Sequence, residues 1–149
     1  MVTRIGEVAD EHDAHFILIA GDLFDDNTVG DDVVTRTCHR LANDVPVPVY
    51  ILPGNHDFSG GPSCVYHRSP FKPLKPDHAI VLDQPELYVV GERGEASPEE
   101  DVVILPALVQ RRNESGDPIG HIDADFGRDR ALDALRVGLA HGGVEAFGG

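Results

Sequence analysis

The spacing of apolar positions changes several times along the chain, and each change marks an element. Ile5, Val8, Ala9 and His12 recur at helical spacing, which predicts a short amphipathic helix over the first dozen residues. His15-Phe16-Ile17-Leu18-Ile19-Ala20 is then a continuous apolar run closed by Gly21, the pattern of a strand buried on both faces. After a polar loop, Asp31 and Asp32 open a segment in which Val33, Val34, Cys38 and Leu41 repeat at helical spacing, with the two acids in the favourable first turn. Val47 to Leu52 is rich in β-branched residues and stops at Pro53-Gly54, predicting a second buried strand. Strand, helix, strand in this order implies parallel pairing through a right-handed crossover. Asp22 and Asn55 then leave neighbouring strands at the same edge.

The remainder is less regular. Phe58 to Pro76 is rich in Gly, Pro and Ser and reads as loop with a short helical turn. Ala79 to Leu82, Leu87 to Val90 and Val102 to Leu105 read as three more strands, separated by Asp83-Gln84-Pro85 and by the acidic loop Gly91 to Glu100; they suggest a second, partly antiparallel sheet. Gln110 to Phe126 reads as irregular, Arg128 to Leu135 as a helix, and Val137 to Ala140 as a short strand delivering His141. A chain of 149 residues with this pattern is one domain or part of one.

Composition changes the picture only through charge. The net charge is −14, and lysine occurs only as Lys72 and Lys75. Such a surface repels polyanions, so a nucleic-acid substrate requires bound cations or a basic surface elsewhere. Adaptation to high salt is the alternative reading of the acid excess. Cys38 and Cys64 show no metal-knuckle spacing, and a disulfide between them is not expected. The first residues lack an apolar signal core, and no apolar run approaches the roughly 18 residues that span a bilayer. The default expectation is a cytoplasmic, reducing location with no membrane partner.

The chemistry-bearing residues stand at strand ends. Open α/β sheets place reactive groups in loops beyond the carboxyl ends of their strands, and Asp22, Asn55 and His141 all occupy such positions. A carboxylate, an amide oxygen and an imidazole form a mixed oxygen and nitrogen set that suits manganese, iron or zinc better than calcium. Taken singly each has a plainer reading: Gly-Asp after a strand is often a turn, and a histidine after a short strand is often a loop residue. His39, His67 and His78 read as surface or hydrogen-bonded histidines, Arg68 as a solvated arginine, and Asp25 as a residue that caps its loop or orients a neighbour.

Taken in order, Gly21-Asp22-Leu23-Phe24-Asp25, Gly54-Asn55-His56-Asp57 and Ala140-His141-Gly142 resemble the second, third and fourth motifs of calcineurin-like phosphoesterases. Within that superfamily, Ile17 to Asp25 and Pro53 to Asp57 look most similar to the exonuclease subunits of double-strand-break repair. The resemblance implies a four-layer α/β sandwich, two facing mixed sheets flanked by helices, with residues 1–149 forming an incomplete domain. It further implies two divalent metal ions, manganese foremost with iron or zinc as alternatives. Asp22 would bridge the two ions, and Asn55 and His141 would bind the second. His56 would stabilise the transition state and protonate the leaving oxygen, with Asp57 accepting its other ring proton.

The implied activity is phosphoester hydrolysis, with DNA phosphodiesters as substrate and a partner ATPase by resemblance alone. A phosphomonoesterase, a cyclic-nucleotide phosphodiesterase and a non-catalytic remnant that binds a partner are the alternatives. The family's first motif, Asp-x-His, and its fifth, Gly-His-x-His, have no counterpart in the right place. Asp10-Glu11-His12, Asp13-Ala14-His15 and Gly120-His121-Ile122-Asp123 match in letters but not in position. The expectation is therefore a chain truncated at both ends, with little activity as it stands.

Overall fold

The computed structural model describes residues 1–90, 102–113, 119–122 and 134–142. Helix α1 (Val2–Glu11) leads into strand β1 (Ile17–Ala20), helix α2 (Asp31–Asp44) and strand β2 (Val49–Leu52). The short helix α3 (Phe71–Leu74) precedes strand β3 (Ala79–Val81), and β4 (Tyr88–Val90), β5 (Val102–Pro106) and β6 (Leu135–Leu139) follow. Two three-stranded sheets result, in the orders β1-β2-β3 and β4-β5-β6. The α1, β1, α2 and β2 segments agree with the hydrophobic pattern.

β2 explains why the sheets face each other. Its side chains alternate between faces, as strand geometry dictates. Val49 and Ile51 join Val34, Cys38 and Leu41 of α2 in one apolar cluster, to which Phe24, Val65, Tyr66 and Phe71 also belong. Tyr50 and Leu52 join Leu82, Ile104 and Leu139 in a second cluster, which lies between the sheets. Every residue of β2 is buried as a result.

Three expectations need correction. β1 is half-buried rather than buried on both faces, because among the described strands it pairs with β2 alone and its other edge has no neighbour. β3 belongs to the first sheet, parallel to β2, not to a second sheet with β4 and β5. The first sheet is thus wholly parallel, and the mixed sheet is the second, where β4 runs antiparallel and β6 parallel to β5. Finally, Leu135 starts β6 instead of ending a helix. The rest of that predicted helix, up to residue 133, and the acidic loop at 91–100 lie outside the described residues.

The parallel register sets up the site. Ala20 of β1 is paired with Leu52 of β2, so the two strands end level with each other. Leu139, at the end of β6, belongs to the same inter-sheet cluster as Leu52. Three chain segments therefore emerge together.

Candidate metal centre

The segment leaving β1 turns sharply. Gly21 adopts φ +90° and Asp22 φ +55°, a left-handed pair that reverses the chain within two residues. Glycine enters this region freely, and aspartate more readily than most side chains. A Cβ on Gly21 would sit 2.1 Å from His141 Nδ1, and one on Gly54 would sit 2.1 Å from Asp22 Oδ1. Both positions exclude a side chain, which is how the three segments approach so closely.

The candidate ligand atoms meet. His141 Nε2 lies 2.8 Å from Asn55 Oδ1 and 3.3 Å from Asp22 Oδ2. His141 Nδ1 lies 2.8 Å from the Ala20 carbonyl, which can only accept, so Nδ1 is the ring nitrogen that donates. In the neutral ring Nε2 then presents a lone pair toward two oxygens that also carry lone pairs. A divalent cation among the three atoms satisfies all of these lone pairs, as a proton on Nε2 would satisfy one of them. Two donors held about 2.1 Å from one ion at right angles are about 3 Å apart, close to the observed separations. Hydrogen bonding of the second ring nitrogen to a backbone carbonyl is also the usual way a ligating histidine is oriented. The set fits a divalent ion. Among the described residues no trio drawn solely from His, Cys, Asp and Glu gathers at one point; here the amide oxygen of Asn55 is the third donor.

His56 and Asp57 part company. The His56 N–H of the backbone donates to Asp22 Oδ1 at 3.0 Å, while its ring Nδ1 lies 3.0 Å from the backbone carbonyl of Asp25. Asp57 does not hold that ring, contrary to expectation. Asp57 points inward and is fully buried. Its carboxylate accepts from the Gly54 N–H at 2.6 Å, from the Phe24 N–H at 3.0 Å and from the Tyr66 hydroxyl. Burial pushes the Tyr66 phenol well above its ordinary range, and the adjoining carboxylate adds to this, so Tyr66 remains a donor.

Two further residues brace the β1–α2 loop, and the sequence reading missed the first. Buried Asn27 donates to the Phe58 carbonyl at 3.0 Å and accepts from the Val65 N–H at 2.8 Å. Arg68, expected in solvent, donates to the carbonyls of Val29 at 2.8 Å and Asn27 at 3.3 Å, and pairs with Asp31 at 2.8 Å. A carboxamide inside a polar loop gives no periodic signal; what marks Asn27 is its burial. The segment after β5 closes over the same region: the Ser59 N–H donates to the Val109 carbonyl at 3.0 Å, and Arg112 pairs with Asp26 at 3.1 Å.

Strand ends of the first, parallel sheet present a carboxylate and an amide, and β6 of the second sheet brings an imidazole to them. The family model for calcineurin-like phosphoesterases matches residues 1–144, and the chain belongs to that family. The family generally depends on a dinuclear metal centre. No curated protein matches the chain. No described helix is long and apolar enough to cross a membrane.

Proposed function

We propose that this chain carries the metal-binding edge of a phosphodiesterase, with Asp22, Asn55 and His141 holding a divalent ion and His56 serving as the acid. The observation that carries the reading is the approach of His141 Nε2 to both Asn55 Oδ1, at 2.8 Å, and Asp22 Oδ2, at 3.3 Å. Manganese is the first choice for this mixed donor set, with iron or zinc as alternatives. Asp22 is the residue suited to bridge two ions, since it is the carboxylate of the set.

Divalent ions held there would supply Lewis acidity, lowering the pKa of water and neutralising charge on the attacking and leaving oxygens. The protein's own contribution is orientation. The Asp25 carbonyl keeps the Nδ1 proton of His56, which leaves Nε2 as the nitrogen that passes a proton to a leaving oxygen. Asp57 acts behind both motifs as a buried anchor of backbone N–H groups rather than as a partner of the His56 ring.

DNA phosphodiesters are the substrate class that Gly21 to Asp25 and Gly54 to Asp57 favour by their resemblance, and a partner ATPase enters on the same ground alone. The net charge of −14 favours a second reading, a small phosphoester that needs no extended basic track. A reducing, cytoplasmic location accords with the two buried free thiols, Cys38 and Cys64.

The test is an assay of bis(p-nitrophenyl) phosphate and linear DNA with Mn²⁺, for the 149-residue chain and for a form extended by its genomic flanks. His56→Ala is expected to lower turnover by about 10² to 10⁴-fold, the effect of losing a general acid, with bound metal unchanged by elemental analysis. Loss of the metal in His56→Ala would reassign His56 as a ligand. Preference for DNA over the small ester decides between the two substrate readings.

A further inference from the structure

We propose that Tyr66 is a positioning residue for the metal centre, acting through the buried Asp57 carboxylate on the two turns that present Asp22 and Asn55. The inference rests on the metal-binding reading of those residues.

The connection is short at every step. Asp57 is fully buried, and a carboxylate without water must find its stabilisation in hydrogen bonds. It has three donors, and two are backbone groups of the site turns. The Gly54 N–H, 2.6 Å away, immediately precedes Asn55; the Phe24 N–H, 3.0 Å away, follows Asp22 by two residues. The third donor, the Tyr66 hydroxyl, comes from a different segment and binds the same oxygen as Phe24, Oδ2.

Tyr66 is itself fixed. Its ring packs edge-on against Phe71 with centroids 5.1 Å apart, and tilted against Phe24 with centroids 5.9 Å apart. Because Val65 is tied to Asn27, the chain on which Tyr66 rides is fastened to the β1–α2 loop as well. The hydroxyl is therefore presented to Asp57 from a rigid support. The raised phenol keeps its proton, so the donor role persists through neutral pH.

The geometry explains why such a bolt matters. Asp22 and Gly54 are nearly in contact, since even a Cβ on Gly54 would lie 2.4 Å from the Asp22 backbone nitrogen. With the turns this close, a small rotation of either one changes the spacing of the chelating atoms. Asp57 joins the two turns, and Tyr66 determines where Asp57 sits. Loss of the hydroxyl leaves the rings packed but removes one of the three restraints on the carboxylate.

The experiment compares wild type, Tyr66→Phe and Tyr88→Phe at a temperature where circular dichroism shows all three folded. Tyr88 is the control, because its hydroxyl accepts from the Gln84 N–H, away from the two site turns. Mn²⁺ affinity is measured by calorimetry, and amide hydrogen exchange is followed in the metal-free proteins. Tyr66→Phe is expected to bind Mn²⁺ about tenfold more weakly, the lower end for loss of a group behind the ligands. It should also exchange the Phe24 and Gly54 amides faster, with helix α2 unaltered, while Tyr88→Phe matches wild type in both. Unchanged affinity and unchanged exchange at those two amides in Tyr66→Phe would overturn the proposal. Failure of wild type to bind Mn²⁺ would instead overturn the metal reading, and exchange at the two amides would still decide whether Tyr66 positions the turns.

Discussion

At the carboxyl edge of the first sheet, Asp22, Asn55 and His141 turn lone pairs toward one point. At the amino edge, Asp44, Asn43 and His78 line the cleft beside α1, together with Glu7 and Asp10. The side-chain types are the same, but their commitments differ. Asp44 accepts from the Thr3 hydroxyl at 2.6 Å, Asn43 donates to the His39 carbonyl at 2.7 Å, and His78 Nε2 meets the Leu41 carbonyl at 3.0 Å. These groups are engaged with neighbouring helix and backbone atoms. The carboxyl edge differs because its left-handed residues Gly21 and Asp22 let side chains from three segments face one another. A site is thus made by backbone turns that bring lone pairs together, not by an inventory of polar residues.

The sharpest way to break this contrast is to remove one carboxylate from each edge. Asp22→Ala is expected to abolish Mn²⁺ binding by calorimetry, whereas Asp44→Ala should bind as wild type and lose about 1 kcal/mol of stability with its hydrogen bond from Thr3. Equal loss of Mn²⁺ binding in both variants would erase the distinction.

Added methyl groups give a second comparison. A Cβ on Gly54 strikes Asp22, and a Cβ on Gly6 would lie 1.9 Å from the Asp44 carbonyl oxygen. Both Gly54→Ala and Gly6→Ala should destabilise by about 1 to 3 kcal/mol in urea unfolding, the range for overpacked sites. Metal affinity should fall only in Gly54→Ala.

Smaller effects follow from charge. The Tyr66 phenol is raised in the folded chain, so its contribution to stability is full below the unfolded value of about 10 and is lost as pH rises above it. Unfolding measured from pH 9 to 11 should show stability falling more steeply in wild type than in Tyr66→Phe. Least of all, Arg112→Ala should shift the melting temperature slightly at low salt and not at all in high salt. Its pairing with Asp26 is exposed and screened.

The strands that carry Asp22 and Asn55 were legible because an apolar run ending in glycine has few other meanings, and strand-helix-strand order fixes their pairing. His141 was found by its place after a short apolar run, although the parallel pairing of β6 with β5 that delivers it leaves no local trace. β3 was put in the wrong sheet for a related reason: the connection from β2 contains one helical turn and many loop residues, so nothing in it announces a crossover. The pairing of Asp57 with the His56 ring is implied by the family resemblance, whereas the carboxylate binds backbone N–H groups and Tyr66 instead. The signal that would have helped is Tyr66, an aromatic with a hydroxyl beside two apolar neighbours, Cys64 and Val65.

The Asp25 carbonyl that orients His56 also bears on how the sequence can drift. A carbonyl belongs to the peptide, whatever side chain is attached. The exposed carboxylate of Asp25 can be exchanged for Asn or Ser without touching the restraint on the imidazole, provided the turn keeps its path. A carboxylate partner would have tied the histidine to one genetic letter; a backbone partner ties it to a shape. The restraint on His56 thus depends on the conformation of residues 21–25 rather than on the side chain at position 25.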